Sequence, residues 1–308
     1  MITATNMLYL SVETPLHVGT GAGLSSIDLP IQREHATQYP MIQGSGIKGK
    51  LRSVAKGMAE EANSKLTKDD VFAIFGPDDG SEHAGAFIIG DARILLFPLR
   101  SLSGVFAYAT SEAVLHRFIR DSERESKGTN IDWTIPNVGT SGNAFVTQIS
   151  DICVPDNQGP TTVLEELTFA VKHSQEVSNI AEWIAHKAFP TKGYDYWSQK
   201  LATSLVILPE DDFRDFILYS TEVITRIKIN RASKTVEEGM LWTEEHLPTD
   251  TLLYAPTYAT NSRRNGHTLN GEYILVKAQE IGAKQGHYLQ LGGDETVGRG
   301  MVRIEWGK

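Results

Sequence analysis

The chain has 308 residues, 41% hydrophobic and 22% charged, with a formal net charge of −9 and one cysteine. Those proportions describe a globular protein with a real core, and no apolar run approaches the ~20 residues that a membrane helix needs. The lone Cys153 excludes disulfides and a cysteine-built zinc site, and the start MITATNMLYLSVE lacks the pattern of a secretory leader, so a reducing, cytoplasmic setting is expected.

In chain order, the alternation in NMLYLSVE (6–13) predicts a strand, followed by a glycine loop, PLHVGTGAGLSSIDLPIQRE (15–34). MIQGSGIKGKLRSVAKGMAEEAN then predicts a glycine turn opening a helix, with Ile47, Leu51, Val54 and Met58 on one side and Lys48 and Arg52 on another. Thr67 and Asp70 form a capping-box pattern for a short helix through Phe75, stopped by Gly76-Pro77. Residues 86–99 and 104–111 read as two strands, and Ser111 caps a helix to about Arg120. From 121 to 162 the chain is irregular, with brief strands; helices are expected at 175–188 and 209–220. TEVITRIKI, KTVEEGMLW and TDTLLYAPTYAT predict three strands, the first two forming a hairpin at about 224–243. Residues 272–279 are assigned to a helix by position, and YLQLGGDETVGRGMVRIEW is strand, glycine loop, strand. This order predicts an α+β fold with a mostly antiparallel sheet.

The acidic total argues against a generic cationic coat for nucleic acid, but the basic residues cluster. Residues 31–56 hold Arg33, Lys48, Lys50, Arg52 and Lys56 against Glu34, and residues 224–235 hold Arg226, Lys228, Arg231 and Lys234 with no acid. Solvated surface faces explain such counts equally well. GSGIKGKL (44–51) misses the phosphate-loop pattern because Leu51 stands where a magnesium-binding hydroxyl belongs, which disfavours an NTPase. Gly44, Ser45 and Gly46 at a helix start still offer backbone N–H groups to an anion, with a plain glycine turn as the alternative. GGDETVGRG (292–300) has more glycine than a hairpin needs, which suggests close approach of a ligand or another backbone. Hydrolase and metal-binding signatures are absent, leaving His17, Asp28 and the acids of WTEEHLP; taken alone, Asp28 reads more readily as a turn residue than as a catalyst.

PLHVGTG, IDLPIQRE, GSGIKGKLR, IFG (74–76) and GGDETVGRG, in this order, resemble the RAMP superfamily. IDLPIQRE and GGDETVGRG in particular look like the backbone (fourth) subunits of Cmr, type III-B, CRISPR effector complexes. The resemblance implies a single domain over 1–308: a ferredoxin-like, RRM-type palm, inserted helical fingers at about 121–200, and a thumb hairpin at 224–243. It implies copies stacked in a helical filament on a CRISPR guide RNA, beside other Cmr subunits and away from any membrane. Each copy would cut complementary target RNA once through a 2′-hydroxyl transesterification aided by Mg²⁺ or Mn²⁺.

In the family the catalytic aspartate lies in the segment that here holds Asp28, which would also be the metal ligand. His17 would line the same loop, and either Glu244 or Glu245 would supply an acid near it. RNA contacts would come from Gly19, Gly21, Gly23, Arg33, Gly44, Ser45, Gly46, Lys48, Lys50, Arg52, Arg226, Lys228, Arg231, Gly292, Gly293, Gly298 and Arg299. Met240 and Leu241 would form the thumb wedge that separates a base pair. An idle scaffold of the same kind, or a CRISPR RNA-processing endonuclease, are the competing expectations.

Overall fold

The computed structural model of the protein describes residues 1–23, 26–80, 82–124, 131–157, 159–189 and 192–307. The first third comprises β1 (Ile2–Val12), β2 (Met41–Ile42), α1 (Gly44–Glu60), α2 (Lys68–Phe75), β3 (Phe87–Ile89), β4 (Ala92–Arg100), β5 (Phe106–Ser111) and α3 (Glu112–Ser122). The middle holds β6 (Asn143–Thr147), β7 (Val154–Asp156), β8 (Gly159–Leu164), β9 (Leu167–Ser174), α4 (Gln175–Ala188), α5 (Asp195–Ser204), β10 (Leu205–Leu208) and α6 (Glu210–Tyr219). The last part holds β11 (Glu222–Ile229), β12 (Val236–His246), β13 (Leu252–Thr260), α7 (Gly271–Ala283), β14 (Tyr288–Gln290) and β15 (Met301–Trp306), with a 3₁₀ turn at Glu295–Val297.

Among the described residues, thirteen strands form one mixed sheet in the order β14-β15-β1-β13-β4-β5-β10-β6-β9-β8-β7, with β2 on β4 and β3 on β13. Only β10–β5 and β6–β9 pair in parallel, so the expected antiparallel bias holds. β1 sits between β13 and β15, and this central place explains its run of buried residues, Met7 to Leu10, in place of clean alternation. α7 lies over β1 and β13, α1 packs on α7 and α2, and α4 covers β6 and packs against α5. Ile47, Leu51 and Ala55 bury one face of α1, which fixes the helix against the core and turns its opposite face outward.

β11 and β12 stand apart as a two-stranded ribbon, the expected hairpin, extended to residues 222–246. The capping box of α2 is complete, Ser111 caps α3, and α4, α6 and α7 occupy the expected places. Several elements depart from the sequence reading. The stretch 86–99 is broken at Gly90, whose N–H donates to Pro256 O (2.8 Å), so β3 and β4 are separate strands. β9, α5 and β10 lie where no regular element was expected. The fingers expectation at 121–200 falls partly on residues 125–130, 158 and 190–191, outside the described residues.

Candidate nucleic-acid interface and catalytic centre

A groove of about 570 Å³ runs between the first glycine loop, the start of α1 and the closing glycine loop. Gly19, Gln32, Ser45, Gly46, Lys50, Gln290, Gly292 and Gly293 line it. At the start of α1 no acid sits in the first turn and no side chain caps the helix, although Asp91 accepts from Gly44 N (2.8 Å). The Asp91 carboxylate offsets part of the positive helix end and Gly46 N donates to Gln43 O (2.9 Å), which leaves the Ser45 N–H and the Lys50 side chain as the donors of α1 toward the groove.

The closing loop is clasped onto the first one. Gly293 N donates to His17 O (2.9 Å), and a Cβ on Gly292 (φ +73°) would lie 2.2 Å from that same oxygen. Only glycine permits both the backbone conformation and the approach. A Cβ on Gly19 would likewise stand 2.6 Å from His17 Nε2.

β12 is the common support of the catalytic candidates. Asp28 is exposed, and its Oδ2 accepts from Thr243 N (2.8 Å) and Thr243 Oγ1 (2.9 Å). The Thr243 backbone N–H, then its hydroxyl, hold the Asp28 carboxyl below its usual range, so it is ionised at neutral pH. Its other carboxylate oxygen makes no hydrogen bond among the described residues. His17 Nδ1 lies 2.7 Å from Glu245 O. A carbonyl only accepts, so Nδ1 carries the proton and a neutral ring leaves Nε2 with its lone pair. The two anchors, Thr243 and Glu245, are roughly 6–7 Å apart along an extended strand. No described contact joins Asp28 to His17 directly.

The residues matched by the RAMP superfamily description run from 9 to 303. The chain belongs to the RAMP superfamily. The CRISPR system Cmr endoribonuclease Cmr4 of Pyrococcus furiosus is 39% identical over 293 residues, covering 94% of this chain and 92% of that protein. The CRISPR system CMR subunit Cmr4 of Saccharolobus solfataricus is 27% identical over 317 residues, covering 99% and 97%. A crystal structure of oligomeric Cmr4 from Pyrococcus furiosus superposes with a TM-score of 0.70 and 30% identity, covering 99% and 98% of the two chains. A chain of the type III-B Cmr-beta complex bound to cognate target RNA shares the fold at a TM-score of 0.72 and 21% identity.

In this RAMP chain the two neighbouring acids of β12 have different surroundings, because side chains alternate along a strand. Glu245 is buried and tied to the fold: Arg33 Nη2 (2.5 Å), Thr221 Oγ1 (2.8 Å) and Ile31 N (3.0 Å) all donate to it. Glu244 accepts from Trp242 Nε1 (2.7 Å) and Arg226 Nε (2.9 Å), and Arg226 also reaches Asp294 at 3.2 Å. Burial opposes ionisation of Glu244, but the Trp242 N–H and the Arg226 guanidinium outweigh it and hold the carboxyl below its usual range. Glu244 faces His246, whose ring lies 5.4 Å from that of His17. Burial, above all, pushes the His246 imidazole below its ordinary range.

The basic residues divide the same way. Arg33 is bound to Glu245, Gln38 O and Ile217 O; Arg52 donates to Gly76 O (2.9 Å) and Asp78 (2.8 Å); Lys228 pairs with Glu237. Lys48 is half-buried and does not line the groove, and burial lowers its ammonium's affinity for a proton. Lys50 lines the groove, and Lys50, Arg231 and Arg299 make no ion pair among the described residues. Gly21, Gly23 and Gly298 are in the two glycine loops, Gly21 and Gly298 at positive φ. On the ribbon Leu241 is 64% exposed opposite Ile227, while Met240 is half-buried. Sequence reasoning missed Thr243, His246 and Asp294. Thr243 meets Asp28, and Asp294 meets Arg226 and His246, only across distant segments, so no local spacing signals these groupings.

Proposed function

We propose that this chain is the backbone subunit of a type III-B Cmr effector complex, strung in copies along a CRISPR guide RNA in the cytoplasm. Each copy cuts the complementary target RNA once. The observation that carries this reading is the ionised Asp28, held by Thr243 at an open surface, in a chain 39% identical to a named Cmr endoribonuclease. The groove beside the start of α1 takes guide backbone, with Lys50 and the Ser45 amide as phosphate contacts. The sheet with α1 and α7 acts as a ferredoxin-like palm, residues 121–200 as fingers, and the β11–β12 ribbon as the thumb, with Leu241 as its wedge.

RNA carries its own nucleophile, so few side chains are required. The 2′-oxygen bonds to phosphorus while the bond from phosphorus to the 5′-oxygen breaks. The products are a 2′,3′-cyclic phosphate and a 5′-hydroxyl. The 2′-hydroxyl proton passes to a base, for which the bare Nε2 of His17 and the Asp28 carboxylate qualify, and the 5′-oxygen regains a proton. A bound Mg²⁺ or Mn²⁺ supplies charge neutralisation at the phosphate oxygens. Asp28 would be the residue to hold it, because one carboxylate oxygen is left over after the Thr243 bonds.

The test is to assemble the complex on guide RNA and add end-labelled complementary RNA. Regularly spaced cuts with cyclic-phosphate ends are expected from the parent and none from Asp28→Asn. Unchanged cutting by that variant overturns the assignment.

A further inference from the structure

His246 is unexplained by the ribonuclease reading. It is completely buried, and neither ring nitrogen has a hydrogen-bond partner. A buried polar group in that condition calls for a specific reason, an ion being one. Its Nε2 stands 3.9 Å from Glu244 Oε2 and 3.7 Å from Asp294 Oδ2. These separations are too long for hydrogen bonds. They suit ligands of one ion, since donors about 2.0–2.2 Å from a metal stand roughly 3–3.5 Å from one another, a small contraction away. The donor atoms of all three residues lie within 4.8 Å of each other.

We propose that Glu244, His246 and Asp294 form a divalent-metal site, separate from Asp28, in which the Arg226 guanidinium is the exchangeable counter-cation. One imidazole with two carboxylates favours a first-row transition ion such as Mn²⁺ or Zn²⁺ over Mg²⁺ or Ca²⁺, which prefer oxygen alone. Arg226 bridges the two carboxylates at 2.9 and 3.2 Å, and its side chain and that of Asp294 are each 27% exposed. The exchange side therefore opens to solvent. Arg226 belongs to the thumb strand β11, so withdrawal of its guanidinium, for instance to an RNA phosphate, vacates two carboxylates that a metal then joins. Thr243 and Glu244 point to opposite sides of β12, which keeps this site distinct from that of Asp28. The inference stands whether or not the chain cuts RNA.

The test is Mn²⁺ titration of the full chain without RNA, reading free Mn²⁺ by electron paramagnetic resonance, with Co²⁺ absorption as a report on nitrogen ligation. Saturable binding is expected to tighten at least tenfold in Arg226→Gln and weaken at least tenfold in His246→Gln, with Asp78→Asn, an exposed carboxylate paired with Arg52 outside the cluster, like the parent. Asp294→Asn, in a partly exposed loop, stands in if His246→Gln fails to fold. The proposal is overturned if neither the parent nor Arg226→Gln binds Mn²⁺ saturably. It also falls if the binding survives loss of His246 or Asp294, or is lost in Asp78→Asn.

Discussion

The two basic stretches of this chain are built in opposite ways. Helix α1 is nailed to the core through Ile47, Leu51 and Ala55, so one narrow face, carrying Gly46 and Lys50, meets the groove. Beyond its buried root at Glu244, Glu245 and His246, the β11–β12 ribbon has no core beneath it, and Val223, Ile227, Ile229 and Leu241 are about half exposed or more. A packed helix presents a fixed spacing of donors, which suits a repeating phosphate backbone. An unsupported apolar ribbon suits surfaces supplied from outside, such as bases or a neighbouring copy. Between them, at the root of the ribbon, stand Asp28 and His17. Under the proposed function, holding, cutting and spacing would fall in three separate places.

The sharpest break in that scheme is Asp28→Asn, which is expected to lower cutting by about 100-fold or more with guide and target binding unchanged. Quantified cleavage beside a binding assay checks it. Next is Glu245→Ala at the ribbon root. It leaves Arg33 without its carboxylate in a buried setting and should cost about 3–5 kcal/mol in a denaturant melt. An effect under ~1 kcal/mol would show that the root is not a structural joint. Third, shortening the ribbon at 231–238 should blur or suppress the regular ladder of cuts while the melt stays like the parent's, because those residues lie outside the core. An unaltered ladder removes the spacing role. Smallest is Lys50→Ala, expected to weaken guide binding a few-fold and reduce the salt slope by about 0.7, one single-strand phosphate contact. Arg52→Ala, already paired with Asp78, should leave that slope unchanged, and equal effects of the two would erase the one-face picture of α1.

The elements with local signatures were legible in the sequence. The capping box of α2, the serine cap of α3 and the alternating apolar residues of the ribbon all act within a few residues. β10 was not, because LVIL is buried on all sides and four apolar residues have no period to read. Tyr194, just before α5, gives the helix no side-chain cap, so its start carries no signal either. In the site, Asp28 and His17 were reached through family resemblance. The division between Lys50 and the pair Lys48 and Arg52 depends on Asp78 and on the core beneath α1, which a helical wheel alone does not supply. The partners that define the centre, Thr243 for Asp28 and Asp294 for Arg226, come from segments far along the chain.

One consequence concerns the making of the molecule. β1 pairs with β13 and β15, and the His17 carbonyl is gripped by Gly293, so the earliest part of the chain is completed by the latest. At about 5–20 residues per second, the ribosome delivers β13 roughly 10–50 s after β1 has emerged. Through that interval Met7, Leu8 and Leu10 lack the sheet neighbours that bury them. The groove that would take guide RNA does not exist until its second wall arrives. Under the proposed function, a nascent subunit would be barred from loading RNA early, and a filament would grow only from chains translated through the closing loop.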